Sequence, residues 1–197
     1  MKKRHFLGAA MAGGLTSALS ATAARAATTA KTAAGPALLT VSGAIGKPNR
    51  GPLDPVRDQM MFKHKVQFAQ ARAFDFAALT TLPAVTIAPT LEYDGRPHTL
   101  RGPLLLDVLA AAGARLAAGD QLLLRAVDGY AAAVTVAQVR ARRYIVATHL
   151  DGATMALGGL GPLWAIYDAD RAPDMAGKPL PERFATCPWA LYHIEVA

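Results

Sequence analysis

The sequence predicts a single α+β domain built on a mixed sheet. Asp128-Gly129 stands between short apolar runs and marks the tight turn of a β-hairpin, and Asp151-Gly152 is a second Asp-Gly turn. One segment, Gly102–Gly113, carries the apolar spacing of an amphipathic helix. The chain shows neither regular strand–helix alternation nor an internal repeat, which excludes a doubly wound sheet. With 197 residues, 52% of them hydrophobic, it is long and apolar enough for one domain with a real core.

The chain opens with Lys2, Lys3 and Arg4, followed by an uncharged Ala/Gly/Leu-rich stretch, Phe6–Ala24, and the small-x-small pattern Ala24-Arg25-Ala26. Residues 1–26 therefore read as a secretory signal peptide cleaved after Ala26. A membrane anchor is the other reading, although the stretch is Gly-rich and weakly apolar against the roughly 20 apolar residues of a span. Lys3-Arg4-His5-Phe6-Leu7 looks like a twin-arginine export motif with its first arginine replaced by lysine, so Sec and twin-arginine routes both stay open. The expected location is periplasmic or secreted. Residues 27–37, rich in Ala and Thr, read as a flexible mature N-terminus, and 38–197 as the folded domain.

The leader also explains the charge. The whole chain has 21 basic and 14 acidic residues, net +7. Removing Lys2, Lys3, Arg4 and Arg25 leaves 17 against 14 in 171 residues, net +3. A nucleic-acid partner is not expected, because the remaining cations are scattered apart from Arg140, Arg142 and Arg143, read as the solvated end of a helix.

The elements follow in order. Leu38–Gly46 is a β-branched, apolar strand, and 47–65, with three prolines, reads as irregular surface. Val66–Phe76 alternates partly, Asp75 is placed to cap a short helix over 76–81, and Val85–Ile87 is a strand core. Gly102-Pro103 is expected to open the main helix, with Leu104, Leu105, Val108, Leu109 and Ala112 as its buried stripe and Gly113 as its stop. Gln121–Val127 and Tyr130–Val134 pair around Asp128-Gly129, with positive φ expected at both turn residues. Thr135 and Gln138 have capping-box spacing for a helix to about Ala141. Tyr144–His149, Leu163–Tyr167 and Trp189–Val196 read as strands, separated by a Gly-rich loop, 158–162, and a Pro/Asp-rich excursion, 168–188.

Chemistry-bearing motifs are few. The HExxH, GxSxG, Walker and dinucleotide patterns do not occur. His64, His98, His149 and His193 have no metal-pair spacing, so no metal ligand is assigned. His98 stands between Arg96 and Arg101, where the three could hold an anion or form a solvated loop. Gly158–Gly161 reads as a tight turn, or as a backbone nest for an anion. Asp128 and Tyr130 are either turn chemistry or ligand contacts at a cleft mouth. One cysteine, Cys187, excludes an internal disulfide and reads as a packed small hydrophobe.

Four stretches together resemble the molybdopterin-binding domain of sulfite-oxidase-like oxidoreductases, in its small exported bacterial form. They are Leu39–Gly43, Leu100–Gly113, Leu124–Ala131 with Val134–Ala137, and Leu150–Gly152 followed by Gly161–Tyr167. The resemblance implies a cleft for a molybdenum–pterin cofactor. It also implies cofactor contacts at His98, Arg101, Asp128, Tyr130, Gly161 and Pro162. Catalytic members ligate the metal through a cysteine upstream of the Leu100–Gly113 helix. Here Val85–Gly102 has none, Tyr93 and Asp94 occupy the neighbourhood, and Cys187 does not align with the ligand.

Catalytic residues are therefore left unassigned, and two functions follow. One is a molybdopterin-dependent oxidoreductase lacking the usual cysteine ligand. The other is a cofactor-free extracytoplasmic module that binds or senses a small molecule. A membrane redox partner is a further expectation.

Overall fold

A computed structural model describes residues 35–197. The leader read over 1–26, and most of the mature N-terminus read over 27–37, lie outside the described residues. Among these, no helix is long and apolar enough to cross a membrane.

The expected α+β mixed-sheet domain is what the chain forms. Its elements, in order, are β1 (Leu39–Gly43), α1 (Gln59–Lys63), β2 (Ala71–Phe74), α2 (Phe76–Thr80), β3 (Ala84–Ile87), β4 (Leu100–Pro103) and α3 (Leu105–Ala111). There follow β5 (Gln121–Ala126), β6 (Ala131–Thr135), α4 (Val136–Arg142), β7 (Ile145–Ala147), β8 (His149–Leu150), β9 (Ala153–Thr154), β10 (Trp164–Ile166) and β11 (Leu191–Val196).

A five-stranded sheet has the order β2-β1-β11-β5-β6, with β1 and β11 parallel and the other neighbours antiparallel. A four-stranded antiparallel sheet runs β3-β4-β8-β9, and β7 pairs with β10. Between them Leu39, Val41, Leu122, Leu124 and Ile194 are fully buried, and so are Leu105, Val108 and Leu109 of α3. That α3 stripe is the one its spacing predicts.

Local capping chemistry is as expected. The Asp75 carboxylate accepts the Ala78 N–H at 2.7 Å. Thr135 and Gln138 form a reciprocal capping box at α4. Asp151 and Gly152 both have positive φ, 49° and 82°, and close the two-residue β8–β9 hairpin.

Four expectations need correction. Gly102 and Pro103 finish β4 and do not open a helix, which starts at Leu105. A Cβ at Gly102 would stand 1.9 Å from the Val146 carbonyl oxygen, so the glycine is needed where β4 lies close against the chain of β7. The β5–β6 turn has positive φ at Gly129 but not at Asp128. It is a three-residue loop, in which Gly129 N–H donates to Ala126 and Ala126 N–H to Tyr130, instead of the two-residue form. Residues 47–65 contain α1: Asp54 accepts the N–H groups of Val56 and Arg57 and starts the turn that leads into it. Tyr144–His149 is two strands in different sheets, since β7 pairs with β10 and β8 with β4.

Candidate functional site

The sheet topology brings three distant segments to one small pocket. The β5–β6 loop supplies Asp128 and Tyr130, the turn before β4 supplies Glu92 and Tyr93, and the approach to β11 supplies Cys187 and Trp189. The pocket has a volume of about 260 Å³.

Hydrogen bonds fix two of the three walls. The Asp128 carboxylate accepts the Tyr130 N–H at 2.9 Å, which holds the loop against its own backbone. The Tyr130 hydroxyl donates to the Ala185 carbonyl, tying the loop to the segment before β11. Cys187 N–H donates to Phe184 at 2.8 Å, and its carbonyl accepts the Trp164 indole N–H at 2.9 Å. Tyr93 lies with its ring centroid 6.5 Å from that of Trp164.

The electrostatics of the pocket are acidic and apolar. Burial pushes the Cys187 thiol far up, outweighing the Tyr167 backbone, the Tyr144 hydroxyl and the Arg142 charge, which act the other way, so the sulfur is held as a neutral thiol. Burial, and then the neighbouring Glu92, also raise the Tyr93 phenol. Among the described residues, neither Lys nor Arg lines this pocket.

A second depression, of about 340 Å³, runs beside Thr86 and Ile87 and takes its charge from Arg142, Arg143, Asp168 and Arg171. Arg142 is not a solvated helix end. Its guanidinium pairs with Asp174 at 2.7 Å and covers the Tyr167 ring at 5.3 Å. One Asp168 oxygen is buried without a partner, and the other is 3.6 Å from Arg171 Nε.

The six residues expected at one cofactor cleft are not gathered there. Asp128 and Tyr130 share the first pocket. Arg101 is exposed on β4, opposite Thr86 and His149, and lines neither pocket. Gly161 and Pro162 are joined by a cis peptide and also lie outside both. A Cβ at Gly161 would stand 2.4 Å from Met155 Cβ, so this glycine serves a close chain approach. His98 does not face an anion with Arg96 and Arg101. Its Nδ1 is 2.7 Å from Asp151 and its Nε2 2.9 Å from Asp94. The hydrogen bond to Asp151, then that to Asp94, holds its pKa above the usual histidine value.

A buried polar network escaped the sequence reading. His193 is fully buried, with Nε2 2.9 Å from Ser42 Oγ and Nδ1 3.1 Å from Arg125 Nη1, while Arg125 also pairs with Glu195 at 2.7 Å. Arg125 can only donate, so Nδ1 accepts and Nε2–H donates to Ser42. An imidazole that donates to the hydroxyl cannot take its proton. This serine–histidine pair is therefore structural.

Comparison with solved structures decides the architecture. The fold is shared with a sulfane dehydrogenase. One match is to sulfane dehydrogenase SoxCD from Paracoccus pantotrophus, with a TM-score of 0.51 and 14% identity over 80% of this chain. The present chain spans 37% of the SoxCD chain, so what is shared with the dehydrogenase is the fold of one part. Neither a family model nor a curated protein matches the sequence.

Proposed function

We propose that this protein is an exported, sulfite-oxidase-like domain that binds a small molecule and does not carry a metal–pterin centre. The sequence resemblance and the fold shared with a dehydrogenase support the oxidoreductase ancestry of the scaffold. The leader pattern over residues 1–26 supports export to the periplasm or beyond.

The observation that carries this reading is how the donors are distributed. A molybdenum–pterin group is anionic and calls for a thiolate on the metal and cations around its acidic part. In this chain the thiol and the cations line different pockets. Cys187 lines one pocket together with Glu92 and Asp128, while Arg142, Arg143 and Arg171 line the other depression. The residues of the first pocket therefore do not fit the group. Two carboxylates would repel it, and the sulfur is held neutral.

Metal analysis of protein purified from a host competent in molybdenum-cofactor synthesis tests the reading. Molybdenum well below one atom per chain is expected. Near-stoichiometric molybdenum, retained through gel filtration, would overturn it.

A further inference from the structure

The pocket beside Cys187 has a composition unlike the rest of the surface. Among the described residues, every exposed Tyr or Trp lines it: Tyr93, Tyr130 and Trp189 are 56%, 47% and 36% exposed. Aromatic faces left open to solvent around a concavity are costly unless something covers them. Two carboxylates, Glu92 and Asp128, stand among these rings without a lining Lys or Arg, in a chain whose formal charge is positive.

Aromatic faces carry a negative quadrupole, so rings arranged around a cavity attract a cation, and most strongly one too weakly hydrated to prefer water. Nearby carboxylates add to the same field. At about 260 Å³ the pocket is smaller than the usual range of about 300–1,000 Å³ for ligand sites, which limits the occupant to a small molecule. The walls are set before binding, by the Tyr130 bond to Ala185 and the packing of Tyr93 on Trp164. Arg142 is occupied by Asp174 and the Tyr167 ring and lines the other depression.

We propose that the Tyr93–Tyr130–Trp189 pocket binds a small organic cation of the methylated-ammonium class, with Glu92 and Asp128 as its counter-charges. This rests on the reading of the protein as a binding module and names the chemistry of its ligand.

Calorimetric titration of the purified protein with choline, and with its neutral carbon isostere 3,3-dimethylbutan-1-ol, is the test. Titration to about 10 mM covers micromolar to millimolar dissociation constants. Choline is expected to bind saturably, and the neutral isostere about 3- to 30-fold more weakly. Glu92→Gln and Asp128→Asn keep the side-chain shape, and the Asn oxygen still accepts the Tyr130 N–H. Each is expected to weaken choline by about 3- to 10-fold, with an unchanged circular dichroism spectrum. Trp189→Phe keeps a ring and should bind better than Trp189→Leu. Equal affinity for the isostere, or unaltered binding in both acid-to-amide variants, would overturn the cation assignment. Absence of choline binding in molybdenum-free protein overturns the assignment alone, whereas stoichiometric molybdenum overturns the binding-module reading beneath it.

Discussion

Arg125 Nη1 lies 3.1 Å from His193 Nδ1, and this contact fixes the state of a fully buried imidazole. Burial first, and then the Arg125 charge, push the His193 pKa down to about 3. The unfolded chain protonates this histidine near pH 6.5, about the ordinary value, while the native state does not. Between about pH 6.5 and pH 3 the unfolded state therefore binds the extra proton. This group's contribution to stability is full above that window and falls through it, by at most about 1.4 kcal/mol per pH unit. In a histidine NMR titration the His193 ring signals should stay in the neutral position down to about pH 4. Titration near the ordinary value would show that the network does not shield the ring.

His98 should behave in the opposite sense. Asp151 and Asp94 hold its proton, so its pKa lies above the ordinary histidine value, and the same contacts lower both carboxyls. The stabilisation from a raised histidine is complete below the unfolded pKa and is lost as pH rises through the folded one. Asp151→Asn and Asp94→Asn should each bring the His98 midpoint down in the same NMR experiment, with Asp151→Asn the larger effect. A midpoint that does not move in either variant would contradict the clasp.

Cys187 should be a slow nucleophile in the native protein. Only the thiolate attacks, and burial keeps this sulfur protonated. Labelling with a disulfide reagent such as dithionitrobenzoate at pH 8 should be orders of magnitude slower in buffer than in denaturant. Comparable rates in the two conditions would mean that the thiol is open and ionised.

Gly102→Ala tests the close approach of β4 to β7. The new methyl would meet the Val146 carbonyl at 1.9 Å, a contact with backbone that no rotamer relieves. A loss of about 1–3 kcal/mol in urea unfolding is expected, as for an overpacked core. Unchanged stability would show that the two chains can separate freely.

The legible parts of the fold were those decided by neighbours in sequence. Asp75 over Ala78, Thr135 with Gln138, and Asp151-Gly152 each act over a few residues, so their spacing alone announced them. Gly102-Pro103 misled because the same pair suits a first helical turn and a strand end pressed against another chain. Which of these it is depends on Val146, more than 40 residues away. The candidate pocket divided in the same way. Asp128 and Tyr130 belong to one hairpin and were found together. Glu92, Trp189 and Cys187 join them through tertiary packing, for which the sequence carries no local signal. His193 and Glu195 stand two residues apart on β11, but only the register opposite β5 shows that Arg125 is their partner.

The position of β11 has a consequence for how the molecule is made. It lies between β1 and β5 in the five-stranded sheet, and Ser42 meets His193 across 151 residues of chain. Until those closing residues are in place, β1 and β5 face a gap and the main layer has no middle. The chain between Ser42 and His193, 151 residues apart, must therefore be in hand before this sheet can close. Bringing such remote segments together is slow, because the entropy of a long loop is lost before any contact compensates it.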